Sequence, residues 1–282
     1  MKKPPLFLSL LIALIINSHL KVQSQEPATL RGTIVKKLKS KYVKDMEYKL
    51  NITLPPEYNS TNTEYPVLIY LDAWMTTGLM NDAYFMVTAT KLIDPIILVG
   101  ISFDGSTGDF FYIRARDYTP TYVSPDRLGK EGSMIPTSGK AREFLKFIKD
   151  ELIPFINAGY RIDKTDLGIL GYSLGGLFSA WALSQEPGIF KRYGICSPSL
   201  QWDNFMAVKG LEQLSLKQDK IVFISSTEKE NPAIQESITK IKALFERKDH
   251  IQLRTAEIKG ENHFSGVPAT YMRALLKLYE KQ

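Results

Sequence analysis

Six short apolar runs, at residues 66–71, 95–103, 166–170, 192–196, 220–225 and 251–258, punctuate the chain, each bounded by polar or turn-forming residues. Continuous apolar runs of this length are what strands covered on both faces look like, which is the habit of parallel sheets. Helical patterns separate them. The clearest spans residues 140–156, where Phe144, Leu145, Phe147, Ile148, Leu152, Ile153 and Ile156 recur at three- and four-residue steps. Residues 174–184, 232–247 and 267–281 supply further helices. Strand alternating with helix predicts a mostly parallel, doubly wound α/β sheet. Two earlier stretches, residues 31–38 and 48–54, carry β-formers and stop at Pro55-Pro56, so they predict an antiparallel lead-in. Residues 104–138 hold Gly, Pro, Tyr and Asp with little periodicity and are expected to form a long functional loop. No repeat or linker interrupts residues 25–282, which predicts one domain there.

The first residues depart from this pattern. Lys2 and Lys3 precede a nearly unbroken apolar run over residues 6–16, followed by a short polar stretch to Ser24. That order is the anatomy of a secretory signal peptide over residues 1–24, and the run is too short for the roughly 20 residues of a membrane-spanning helix. The expectation is an exported protein, periplasmic or secreted, with no stable membrane insertion after cleavage. The formal net charge of +6 includes three lysines of the leader. No basic block with interleaved aromatics occurs, so no nucleic-acid partner is expected. The single cysteine, Cys196, cannot form an internal disulfide and is expected to be a small buried strand residue. No metal-ligand spacing, dinucleotide fingerprint or phosphate loop is present, so neither a metal nor another cofactor is expected.

The chemistry concentrates where the run at residues 166–170 meets Gly171-Tyr172-Ser173-Leu174-Gly175-Gly176. A strand, a tight turn and a helix with serine at the apex form a nucleophile elbow. Side chains in place of Gly171 and Gly175 are expected to collide with neighbouring backbone. The N–H of Leu174, at the helix N-terminus, is placed to stabilise an oxyanion. A serine hydroxyl needs a base, normally a histidine held by a carboxylate. Of the three histidines, His19 lies in the leader and His250 precedes the last strand, at the wrong end of the sheet for a site of this type. His263 remains, in Gly260-Glu261-Asn262-His263-Phe264 after the last strand. The acid should follow the preceding strand, where Glu228 and Glu230 are both available. A second oxyanion donor should lie just beyond Asp72, with the N–H of Trp74 preferred to that of Ala73.

These residues resemble the putative esterase family of α/β-hydrolases, which includes esterase D and the enterobactin-esterase-like enzymes. The resemblance covers nearly the whole chain after the leader. It rests on Val99-Gly100-Ile101 followed by Arg114-Ala115-Arg116-Asp117-Tyr118-Thr119-Pro120, on Glu151-Leu152-Ile153-Pro154-Phe155-Ile156, on the serine turn, on Ser197-Pro198-Ser199-Leu200 and on the His263 segment. It implies the α/β-hydrolase fold, Ser173 as nucleophile and His263 as base. By position it implies Glu230 as the orienting acid, although Thr227 stands where the family usually has glycine, so Glu228 stays open. Arg114 and Arg116 are candidates to meet an anionic or catecholate substrate, the alternative being ion pairs with Asp117 or a neighbouring acid. Trp202 is a candidate to border the pocket, the alternative being a core aromatic. The activity implied is hydrolysis of a small-molecule carboxylic ester through an acyl-enzyme, with a siderophore ester of enterobactin type the first candidate substrate. The competing readings are a carbohydrate-acyl or feruloyl-type esterase, an acyltransferase, and an inactive binding protein on the same fold.

Overall fold

The computed structural model describes residues 29–128, 135 and 137–281. The expected signal peptide lies outside the described residues. Eight strands form one sheet in the order β1-β2-β4-β3-β5-β6-β7-β8, with β1 (Thr33–Lys39), β2 (Glu47–Thr53), β3 (Tyr65–Tyr70), β4 (Ile97–Ser102), β5 (Ile162–Tyr172), β6 (Arg192–Cys196), β7 (Lys220–Lys229) and β8 (Ile251–Asn262). The first two strands pair antiparallel to each other, and β2 runs antiparallel to β4. Every later pairing is parallel. This is the mostly parallel sheet with an antiparallel lead-in expected from the order of apolar runs, and the α/β-hydrolase arrangement that the resemblance implies.

The central strands are apolar on both sides because both sides are covered. Along β3, Val67 and Ile69 face one core layer while Leu68 and Tyr70 face the other. The second layer is closed by α1 (Ala73–Ala89), through Met80, Tyr84 and Val87, and by α8 (Val267–Tyr279), through Tyr271, Leu275 and Leu278. The first layer is closed by α2 (Thr107–Tyr118), α3 (Ala141–Phe147) with its π-helical continuation Ile148–Leu152 and α4 (Ile153–Gly159), α5 (Leu174–Gln185), α6 (Trp202–Glu212) and α7 (Pro232–Phe245). Each fully buried Leu, Ile or Phe in these layers contributes roughly 1.5–3 kcal/mol to folding.

Three differences from the expected elements bear on the site. Residues 104–138 are not all loop, because α2 begins there on a capping box: Ser106 Oγ accepts from Asp109 N–H, and the Ser106 N–H donates to Asp109 Oδ2 at 2.7 Å. The helix α1 was not expected, since Thr76, Thr77 and Gly78 are weak helix formers; burial of one face holds it instead. Finally, β7 and β8 run on to Lys229 and Asn262, past the predicted ends at 225 and 258. Their outer halves leave the sheet as a two-stranded ribbon, so its polar and partly exposed residues escaped a search for continuous apolar runs.

Candidate active site

Strand ends across the sheet lie level, with Tyr172 opposite Cys196 and Cys196 opposite Ser225. Ser173 follows directly on Tyr172, in a strained backbone conformation with φ 59° and ψ −116°. Three hydrogen bonds hold it there. Its N–H donates to the Cys196 carbonyl at 3.0 Å, and its carbonyl accepts from the N–H of Leu177 at 2.9 Å and of Ser199 at 3.1 Å. A Cβ on Gly171 would lie 2.1 Å from the Gly175 carbonyl oxygen, so the expected crowding is real at that position. At Gly175 it is not: a Cβ there would meet Asp72 and Leu71 at 3.5 Å, an ordinary contact. The second crowded glycine is Gly176, where a Cβ would lie 2.7 Å from the Cys196 carbonyl oxygen. Cys196 itself is fully buried, as expected, and burial pushes its thiol up to about 12, far from the thiolate a nucleophile needs.

The ribbon of β7 and β8 carries the other two groups. Thr227 pairs with Ile258 and Lys229 pairs with Asn262, so β8 spends extra residues around Gly260 while β7 spends only Glu228. Gly260 takes a left-handed φ of 78° in this bulge, and its N–H donates to Glu228 Oε2 at 2.6 Å. Glu228 thus satisfies the backbone that the bulge leaves unpaired. The residues immediately after the Lys229–Asn262 pair are Glu230 and His263, and the register brings them side by side: His263 Nδ1 lies 2.8 Å from Glu230 Oε1. The Glu230 carboxylate is fully enclosed and also accepts from Thr227 Oγ1 and Asn231 N–H, both at 3.1 Å. Burial raises its pKa, but the bond and charge of His263 and the Asn231 N–H outweigh it, so the carboxyl is held below the usual range. The His263 turn is fixed from both sides. Asn262 Oδ1 accepts from the N–H groups of Phe264 and Ser265 at 2.9 and 3.1 Å. Tyr172 donates its hydroxyl to the His263 carbonyl at 2.6 Å, with the two rings 5.2 Å apart, which ties the His263 turn to the residue preceding Ser173. Nδ1 is engaged by Glu230, which leaves Nε2 as the free ring nitrogen.

On the other side of the elbow, Asp72 follows β3 in a left-handed conformation and caps the start of α1. The N–H groups of Ala73 and Trp74 precede the first intrahelical bond and find no acceptor among the described residues, nor does that of Leu174. All three N–H groups are free to donate to a bound group. Arg114 forms a bidentate pair with Asp72, both bonds at 3.0 Å, and reaches the Tyr172 carbonyl at 3.4 Å, so it bridges the β3 end and the elbow. Burial works against its charge, but Asp72 more than offsets this and its pKa is raised. Arg116 is paired with Asp117, which also accepts from Tyr48 Oη at 2.6 Å. Both arginines therefore form the ion pairs that the sequence offered as the alternative to substrate contact. Trp202 is buried and donates Nε1 to Thr121 Oγ1 at 3.1 Å. His250, at the far end of the sheet, pairs with Asp219 at 2.7 Å.

Removing one partner of the Arg114–Asp72 pair strands a buried charge. Arg114→Ala or Asp72→Ala is expected to destabilise the fold by about 3–5 kcal/mol, read from urea unfolding midpoints; a loss below about 1 kcal/mol would show the pair to be dispensable.

Sequence reasoning named Ser173, His263 and both glutamates and set Asp72 beside the expected oxyanion donors, but it gave no role to Tyr172, to Ser199 or to the pairing of Asp72 with Arg114. Two of these adjoin quoted features: Tyr172 is the variable residue of the serine turn, and Ser199 lies in Ser197-Pro198-Ser199-Leu200. The hydroxyl of Ser199 lies 3.3 Å from Ser173 Oγ. Among the described residues no group of three or more potential metal ligands is found, and no helix is long and apolar enough to cross a membrane.

Known proteins agree with this architecture. Residues 40–265 match the family described as "Putative esterase". The chain is 30% identical over 273 residues to the ferri-bacillibactin esterase BesA of Bacillus subtilis (strain 168), covering 88% of this chain and 89% of that one. A shorter match, 33% identical over 114 residues, covers 38% of the chain and 37% of the siderophore enterobactin esterase of Emericella nidulans. Among solved structures, that of BES protein from Bacillus cereus superposes with a TM-score of 0.80 at 28% identity, over 92% of this chain and all of that one. With a family match spanning most of its length on an eight-stranded α/β-hydrolase sheet, the chain belongs to the Putative esterase family.

Proposed function

We propose that the chain is an exported serine esterase that hydrolyses the ester bonds of a siderophore, with Ser173 as nucleophile, His263 as base and Glu230 as the acid that orients it. The observation that carries this reading is the 2.8 Å contact between His263 Nδ1 and an enclosed, ionised Glu230, on a turn tied by Tyr172 to the serine elbow. The siderophore class is supported by BesA, which matches over most of both chains. Export is supported by the signal-like residues 1–24, with residues 25–282 as the mature domain.

In this reading Ser173 Oγ attacks the ester carbonyl while its proton passes to His263 Nε2. Glu230, ionised, stabilises the imidazolium and fixes its tautomer. The oxyanion is held by the N–H groups of Leu174 and Trp74, with Ala73 the alternative to Trp74. His263 then protonates the departing alcohol, and water activated by the same nitrogen releases the acid from the acyl-enzyme. Arg114 serves this site by joining Asp72 to Tyr172, and Trp202 by holding the loop after β6.

The substrate assignment is tested by comparing kcat/KM of the mature chain on a catecholate lactone, a feruloyl ester and an acetylated sugar. The catecholate lactone is expected to be preferred by at least about tenfold, the scale of a modest difference in transition-state binding. A preference for either sugar-linked ester would replace the siderophore by a carbohydrate-acyl substrate and leave the serine chemistry standing.

A further inference from the structure

Ser199 is 8% exposed and held on three sides. Its N–H donates to the Ser173 carbonyl at 3.1 Å, its carbonyl accepts from Trp202 N–H at 3.2 Å, and the segment before it is anchored by Ser197 N–H on the Ser225 carbonyl at 3.0 Å. So fixed, it presents its hydroxyl to Ser173 Oγ at 3.3 Å. Either hydroxyl can donate across this contact, since each is the other's only side-chain hydroxyl partner among the described residues. The direction is set by the chemistry proposed for Ser173, whose own proton must pass to His263. Donation from Ser199 into a lone pair of Ser173 Oγ leaves the Ser173 proton free to point at the base.

We propose that Ser199 is a further catalytic residue, whose hydroxyl donates to Ser173 Oγ and stabilises the negative charge that gathers there during attack. The inference rests on Ser173 as the nucleophile. As the Ser173 proton passes to His263 Nε2, an Oγ electron pair forms the bond to the acyl carbon, and Ser199 keeps its own proton throughout. Once Oγ is acylated it becomes a poor acceptor, so the Ser199 bond weakens in the acyl-enzyme and strengthens again when Oγ leaves in deacylation. A hydrogen bond that is strongest at the charged stage accelerates the reaction without tightening substrate binding.

The test is the second-order rate of labelling by a fluorophosphonate probe, which reports attack by Oγ, measured on full-length wild type, Ser173→Ala, Ser199→Ala and Ser199→Thr. Wild type should be labelled and Ser173→Ala should not. Ser199→Ala keeps its main-chain bond to Ser173 and is expected to react roughly 10- to 100-fold more slowly, the scale of a hydrogen bond to a charged group. Ser199→Thr restores the hydroxyl and should react within about threefold of wild type. For p-nitrophenyl acetate the Ser199→Ala loss should fall on kcat with KM unchanged. Undiminished labelling of Ser199→Ala, or equal slowing in both Ser199 variants, overturns the role. A wild type that is not labelled, or a Ser173→Ala variant that is, overturns the nucleophile assignment instead, and this inference with it.

Discussion

Ser173→Ala is expected to lower kcat for short p-nitrophenyl esters by roughly 10⁵-fold, leaving only what oriented binding and the free N–H donors supply. The size follows from mechanism, because without Oγ no acyl-enzyme forms and the base has no proton to take. The substitution removes one oxygen from a residue whose main chain is fixed by Cys196, Leu177 and Ser199, so the elbow persists. Steady-state hydrolysis is the measurement, with thermal unfolding as the control for folding. Retention of more than about one per cent of wild-type turnover in a folded variant would remove Ser173 from the mechanism.

Glu230→Gln is expected to cost about 10²- to 10⁴-fold in kcat, while Glu228→Gln stays within a few-fold of wild type. Glu228 lies within β7 and Glu230 just past its end, and the ribbon separates their tasks. Glu230 touches the imidazole, whereas Glu228 caps the Gly260 N–H in the bulge. An amide at 230 presents either a donor or an uncharged acceptor to Nδ1, and either choice weakens support for the imidazolium. Comparable losses in both variants, or the reverse order, would return the acid to Glu228. The lowered pKa of Glu230 also sets a sign. Its stabilising contribution is complete above the ordinary glutamate value, about 4.3, and is lost as pH falls through the lower folded value. Glu230→Gln should therefore flatten the acid limb of the stability curve.

Much of the fold was legible because buried strands leave continuous apolar runs and the site's residues sit at the ends of those runs. Ser173 could be named from its glycine-flanked turn, and His263 by elimination and by its place after the last strand. What escaped was set by contacts between distant segments. The choice between Glu228 and Glu230 depends on a bulge around Gly260 that polar, half-exposed residues do not advertise. Arg114 and Arg116 have no local pattern that separates an ion pair from a substrate contact; Asp117 could be named as a partner from its place beside Arg116, but Asp72 becomes the partner of Arg114 only once α2 lies against the end of β3. Helix α2 was missed although Ser106-Thr107-Gly108-Asp109 spells its start, because little apolar periodicity follows. Ser199 is 26 residues from Ser173, and its hydroxyl gains meaning only from the return of the chain past the elbow.

Ser173 and its proposed base, His263, are anchored in parts of the molecule with unequal cohesion. Ser173 stands between a strand buried from Asp166 to Tyr172 and a helix buried from Leu174 to Leu183, whereas Glu230 and His263 stand at the tip of a ribbon whose β8 half is mostly exposed. Segments with few buried apolar contacts open locally at lower free energy than the core. Warming should therefore disengage the base before the sheet unfolds, so the working temperature of the catalyst is governed by the fraying of two strand ends and not by the melting of the domain that carries the nucleophile.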